Sequence, residues 1–150
     1  MFCGWLCLLA GLPAYAADKS WNMIRYQGGT VEAKVNPFDW NTTLTIVNGG
    51  VDLNFAGRKR LRIEASDITV LSFGESAYKH VSDIASLRYA PKPVKLFGML
   101  SKPRDHLVSI EFKTAGGTVG GVLLEVYFGH SMELLHALRI LTGKPVDNWP

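Results

Sequence analysis

The chain has 150 residues and a formal net charge of +3 from 16 basic and 13 acidic side chains, with 47% of its residues hydrophobic. That length admits one domain able to bury about two thirds of its unfolded surface, and so mild a charge excludes the concentrated basic face of a nucleic-acid binder. Both cysteines, Cys3 and Cys7, fall in the first 17 residues, which leaves the rest without disulfides or thiol chemistry.

The opening stretch MFCGWLCLLAGLPAYAA carries no charged side chain and ends in small residues. It reads as a signal peptide over 1–17, with Ala14-Tyr15-Ala16 as the small-x-small element and cleavage near Ala16 or Ala17. The alternative is an N-terminal membrane anchor. A spanning helix needs about 20 apolar residues, and this run is interrupted by Gly4, Gly11 and Pro13. The expectation is therefore an exported protein, periplasmic or secreted, whose single domain covers 18–150.

Strand signals run from Met23 to Phe128. In NTTLTIVNGGVDLNFAG, Leu44 and Ile46 alternate with threonines, Asn48-Gly49-Gly50 supplies a turn, and Val51, Leu53 and Phe55 resume the alternation. Asn and Gly tolerate the positive φ of a primed hairpin turn, so two antiparallel strands share one apolar face here. The next strand turns Leu61 and Ile63 inward and Arg60, Arg62 and Glu64 outward, with Arg58 and Lys59 in the preceding turn. Ile68, Val70 and Phe73 prolong the rhythm.

The segment from Gly74 to Asp105 breaks it. Pro91, Pro93 and Pro103 forbid a central strand or a helix interior, so 90–105 is expected to be an irregular, Pro-rich insert. Alternation returns at Val108, Ile110 and Phe112, turns at TAGGTVGG, and continues at Val122, Leu124, Val126 and Phe128. At the end the period changes. Leu134, Leu135, Leu138 and Leu141 recur at three and four residues, Glu133 sits in the first turn, Gly143 stops the helix and Pro145 prevents its resumption.

Successive antiparallel strands followed by one amphipathic helix suggest a small barrel with a covered end. The segments LTIVNGGVDLNF, RLRIEASDITVLSFG, DHLVSIEFK, GGVLLEVYF and SMELLHALRILTGKP, in that order, resemble the pleckstrin-homology-like (PH-like) superfold with its GRAM and bacterial branches. The resemblance covers about Met23 to Val146 and lies in element order. It implies a mostly β protein: a seven-stranded antiparallel barrel of two orthogonal sheets, capped by one C-terminal helix. Phosphoinositide-binding members carry basic residues between the first two strands. Here that loop, KVNPFDWNT, offers only Lys34, so the family's site does not transfer by residue.

Two surfaces remain as binding candidates. In the insert, Lys92, Lys95, Lys102 and Arg104 interleave with apolar residues that include Phe97 and Met99, a composition suited to an anionic envelope or membrane surface or to a protein partner. Arg58, Lys59, Arg60 and Arg62 form a second basic patch, which an ordinary solvated strand face also accounts for.

Chemistry is poorly supplied. Asp105, His106 and Ser109 lie too close along a strand to form a relay. His80, His106, His130 and His136 lack metal-ligand spacing, and GGTVGG lacks the lysine and the strand-to-helix context of a phosphate loop. Trp21, Trp40 and Trp149 read as packing. No catalytic residue, metal or cofactor is implied. The expectation is a non-catalytic interaction module, with a small-molecule carrier or hydrolase, using a pocket between barrel and helix, as the alternative.

Overall fold

The computed structural model describes residues 18–57, 59–86 and 106–149. The expected signal peptide, Arg58 and the whole of the 90–105 insert lie outside them, including Lys92, Lys95, Phe97, Met99, Lys102 and Arg104. The described residues form strands β1 (Lys19–Gly29), β2 (Thr42–Val47), β3 (Gly50–Phe55), β4 (Lys59–Glu64), β5 (Ile68–Phe73), β6 (Leu107–Lys113), β7 (Val119–Val126) and β8 (Val146–Asp147). A 3-10 turn, Ala65–Asp67, precedes β5; helix α1 (Gly74–Ser86) follows it, and helix α2 (Ser131–Thr142) follows β7.

The strands are hydrogen-bonded in the order β4-β3-β2-β1-β7-β6-β5-β8. This departs from the seven-stranded, wholly antiparallel expectation in two ways. The described strands make one open eight-stranded sheet, and its last pair, β5 with β8, is parallel through Leu71↔Val146 and Ser72↔Asp147.

What joins the two halves is β1, which pairs with β2 through Lys19 to Ile24 and with β7 through Ile24 to Gly29. Its register shifts between Trp21 and Ile24 and again between Tyr26 and Gly28. Gly28 and Gly29, at φ 136° and 140°, allow the strand to leave regular β geometry there. Gly29 is also squeezed: a Cβ at this position would lie 2.1 Å from the Gly121 carbonyl oxygen. The hairpin between β2 and β3 forms as the sequence specifies, with Asn48 and Gly49 at φ 49° and 72° and Leu44 opposite Leu53.

One core lies inside the curve of the sheet, and α2 closes it. Leu134, Leu135 and Leu138 are fully buried against strand residues such as Leu44, Phe55 and Ile110. The helix ends where Gly143 adopts φ 67° and donates its N–H to the Arg139 carbonyl, a left-handed C-cap. A second, smaller core was not expected. Helix α1 lays Ala77 and Val81 over Leu107 and Leu123 on the outer side of β6 and β7, so α2 is not alone in covering the sheet. Gly121 leaves room for this, since its missing Cβ faces Val81 and Ile84 at 3.7 and 3.5 Å.

Candidate functional site

The loop from β1 to β2 and the turn from β3 to β4 face one another at one end of the sheet. The loop is pinned from below. The buried Tyr26 hydroxyl donates to the Val31 carbonyl at 2.6 Å, burial pushes its phenol pKa well above the ordinary value, and Gln27 donates to the Pro37 carbonyl at 3.0 Å. Ala33 is buried, and Val35 packs on the main core.

The opposing turn is held as firmly. Ala56 sits at φ 51°, a left-handed conformation that side chains larger than glycine adopt at a cost, and its N–H is bound by the Asn41 carbonyl at 2.9 Å. Gly57, at φ 70°, donates to Asn54 Oδ1 at 3.0 Å. Between loop and turn opens a cleft of about 350 Å³ lined by Glu32, Ala33, Lys34, Val35, Phe55 and Lys59. Lys59 Nζ donates to the Glu32 carbonyl at 2.5 Å, which bridges the two walls.

The cleft has an apolar floor of Ala33, Val35 and Phe55 and a rim of two ammonium groups to one carboxylate. The Lys34 side chain makes no hydrogen bond or ion pair among the described residues, and neither does the Arg60 side chain on the adjoining strand. Such unneutralised cations on pinned backbone suit an anionic group, because little ordering remains to be done when it arrives.

The basic patch read from the sequence therefore divides. Lys59 is the first residue of β4 rather than a turn residue, and it lines the cleft. Arg60 is exposed beside it. Arg62 has another task. Its guanidinium donates to the carbonyls of Val47 and Asn48, each at 2.8 Å, and reaches Asp52 at 3.2 Å and Glu64 at 2.9 Å. It lies over Gly50, where a Cβ would meet it at 2.8 Å, and its hydrogen bond holds the Glu64 carboxyl below the usual range. This fork staples the β2–β3 turn. Lys34, passed over in sequence as a solitary cation, lines the same cleft as Lys59 through the sheet order and the Lys59–Glu32 bridge.

The other sequence candidates fall apart in space. His106 stacks edge-to-face on Phe128 at 5.2 Å, while Ser109 Oγ is fully buried without a partner. Trp21 is buried in the core; Trp40 lies 3.9 Å from the Arg25 guanidinium and packs on Tyr127; Trp149 lies near Arg139. No group of three or more His, Cys, Asp or Glu side chains could hold a metal ion among the described residues. Leu134, Leu135 and Leu138 of α2 are packed into the main core between helix and sheet.

No protein-family model and no curated protein sequence matches the chain. Among solved structures it is similar to the C-terminal phosphotyrosine interaction domain of mouse APBB2, with a TM-score of 0.54 and 8% identity over 89% of this chain and 92% of that one. It is also similar to a chain of the Spt16D Pob3N heterodimer, with a TM-score of 0.47 and 10% identity over 91% of this chain and 60% of that one. The fold is thus PH-like, at an identity too low to carry any residue's role across.

Proposed function

We propose that the protein is a non-catalytic PH-like interaction module that docks on an anionic surface through the cleft between Lys34 and Lys59. The observation that carries this reading is the pair of facing cations on two backbone segments that are each tied down by hydrogen bonds to carbonyls or side chains. The structural neighbour named for phosphotyrosine interaction shares only the fold, and its name too involves an anionic group. Lys92 and Lys95 of the insert would add a second contact to the same surface. In this reading the module is exported after loss of residues 1–17, and mass spectrometry of the native product checks that.

Sedimentation with vesicles containing phosphatidylglycerol, against neutral phosphatidylcholine vesicles, tests the docking. Lys34→Glu with Lys59→Glu should abolish the preference for anionic vesicles. Lys92→Glu with Lys95→Glu should weaken it. An unchanged preference in the first double variant removes the cleft from the account, and wild-type chain that ignores both vesicle types but is retained by an acidic protein matrix redirects it to a protein partner.

A further inference from the structure

At the opposite end of the sheet a single imidazole spans two carboxylates. His80 projects from α1, with Nδ1 2.8 Å from Glu111 Oε1 of β6 and Nε2 3.1 Å from Asp147 Oδ2 of β8. Between β6 and β8 runs β5, so the imidazole reaches across one strand to touch both of its neighbours. The two acids differ sharply in exposure. The Glu111 side chain is 10% exposed and its buried Oε1, in ion-pair contact with the imidazole, has no hydrogen-bond partner among the described residues, whereas the Asp147 side chain is 54% exposed and does share a hydrogen bond with Nε2.

Little else holds β8. It pairs with β5 at two positions, buries Val146, and is followed by Asn148, whose amide donates to the Phe73 carbonyl at 3.3 Å. We infer that His80 is a protonation-dependent latch that clamps the C-terminal strand β8 onto the β5 edge and lets it go when the imidazole loses its charge.

An imidazolium carries charge toward both carboxylates and can donate from both nitrogens. A neutral imidazole keeps one proton and no charge, so one of the two carboxylates faces a bare ring nitrogen and the attraction that spans α1, β6 and β8 is lost. The latch is closed at low pH and opens as pH rises.

The surrounding charges do not reverse this. Lys79 and Asp83 share the imidazole's helix, and Asp83 acts on Glu111 in the direction that favours the protonated acid. Strand β5, beneath the imidazole, has no titratable side chain. Burial raises the Glu111 pKa, and the contact with His80 works against that rise. The inference does not depend on the Lys34–Lys59 cleft.

Hydrogen exchange at the Val146 and Asp147 amides of the full chain, from about pH 5 to pH 8, tests it. After correction for intrinsic exchange, protection should fall roughly tenfold or more across that window, the loss expected for one charged hydrogen bond. Amides at the centre of β6 and β7 should not follow. Asp147→Asn, on an exposed side chain, and His80→Gln should each flatten the profile. A wild-type profile already flat, or one that persists unchanged in Asp147→Asn, overturns the latch.

Discussion

Replacing Gly29 by alanine tests whether the bend in β1 joins the two halves of the sheet. Two costs arise. At φ 140° any L side chain is strained, which is worth about 1–3 kcal/mol. In addition the new Cβ would lie 2.1 Å from the Gly121 carbonyl oxygen, backbone that cannot swing aside. That carbonyl accepts the Thr30 N–H at 2.9 Å, and separating the strands lengthens this bond, adding about 1 kcal/mol. The sum is roughly 2–4 kcal/mol, a Tm lowered by about 10 °C for a domain of this size. Gly28→Ala is the control, since it shares the strain at φ 136° but its Cβ would meet nothing within 4 Å. Differential scanning calorimetry of the two variants should find Gly29→Ala clearly the less stable. Equal losses would refute the close approach of β1 to β7.

Arg62→Ala should cost about 1 kcal/mol in denaturant unfolding, modest because the guanidinium is a third exposed. Arg62→Lys should recover little, since one ammonium cannot reproduce a fork aimed at two carbonyls; full recovery would show that charge alone matters. The raised pKa of Glu111 has a defined sign: its folded state holds the proton more tightly than the unfolded chain, so its contribution is present at low pH and is lost as pH rises through the folded value. Stability followed upward from about pH 4.5, the ordinary glutamate range, should therefore decline more in wild type than in Glu111→Gln, and parallel curves would contradict the desolvation.

Elements with strong local signals were legible in the sequence. The Asn48-Gly49 turn and the leucine stripe of α2 are each written within one short segment, and each forms as read. Helix α1 was not, because its apolar stripe of Ala77, Val81 and Ile84 is short, and the sheet face under it mixes Leu107 and Leu123 with Ser109 and Gly121 instead of offering a continuous apolar row. Two residues of parallel strand in β8 give no periodicity at all. The candidate cleft could not be read for a different reason. Lys34 lies in the β1–β2 loop and Lys59 begins β4, and their meeting depends on the order of β1 to β4 and on the bridge from Lys59 to the Glu32 carbonyl. Arg62 shows the converse, a residue patterned like any solvated strand position whose partners are carbonyls of another turn.

The most direct measurement is an NMR titration of the full chain with a soluble anionic headgroup, glycerophosphoglycerol. Saturable shifts confined to the amides of Glu32, Lys34, Val35, Gly57 and Lys59, and absent from the Lys34→Glu, Lys59→Glu variant, are what a cleft that receives an anion predicts. Shifts that instead gather around Trp40, Tyr127 and Phe128, or that never saturate, would contradict it.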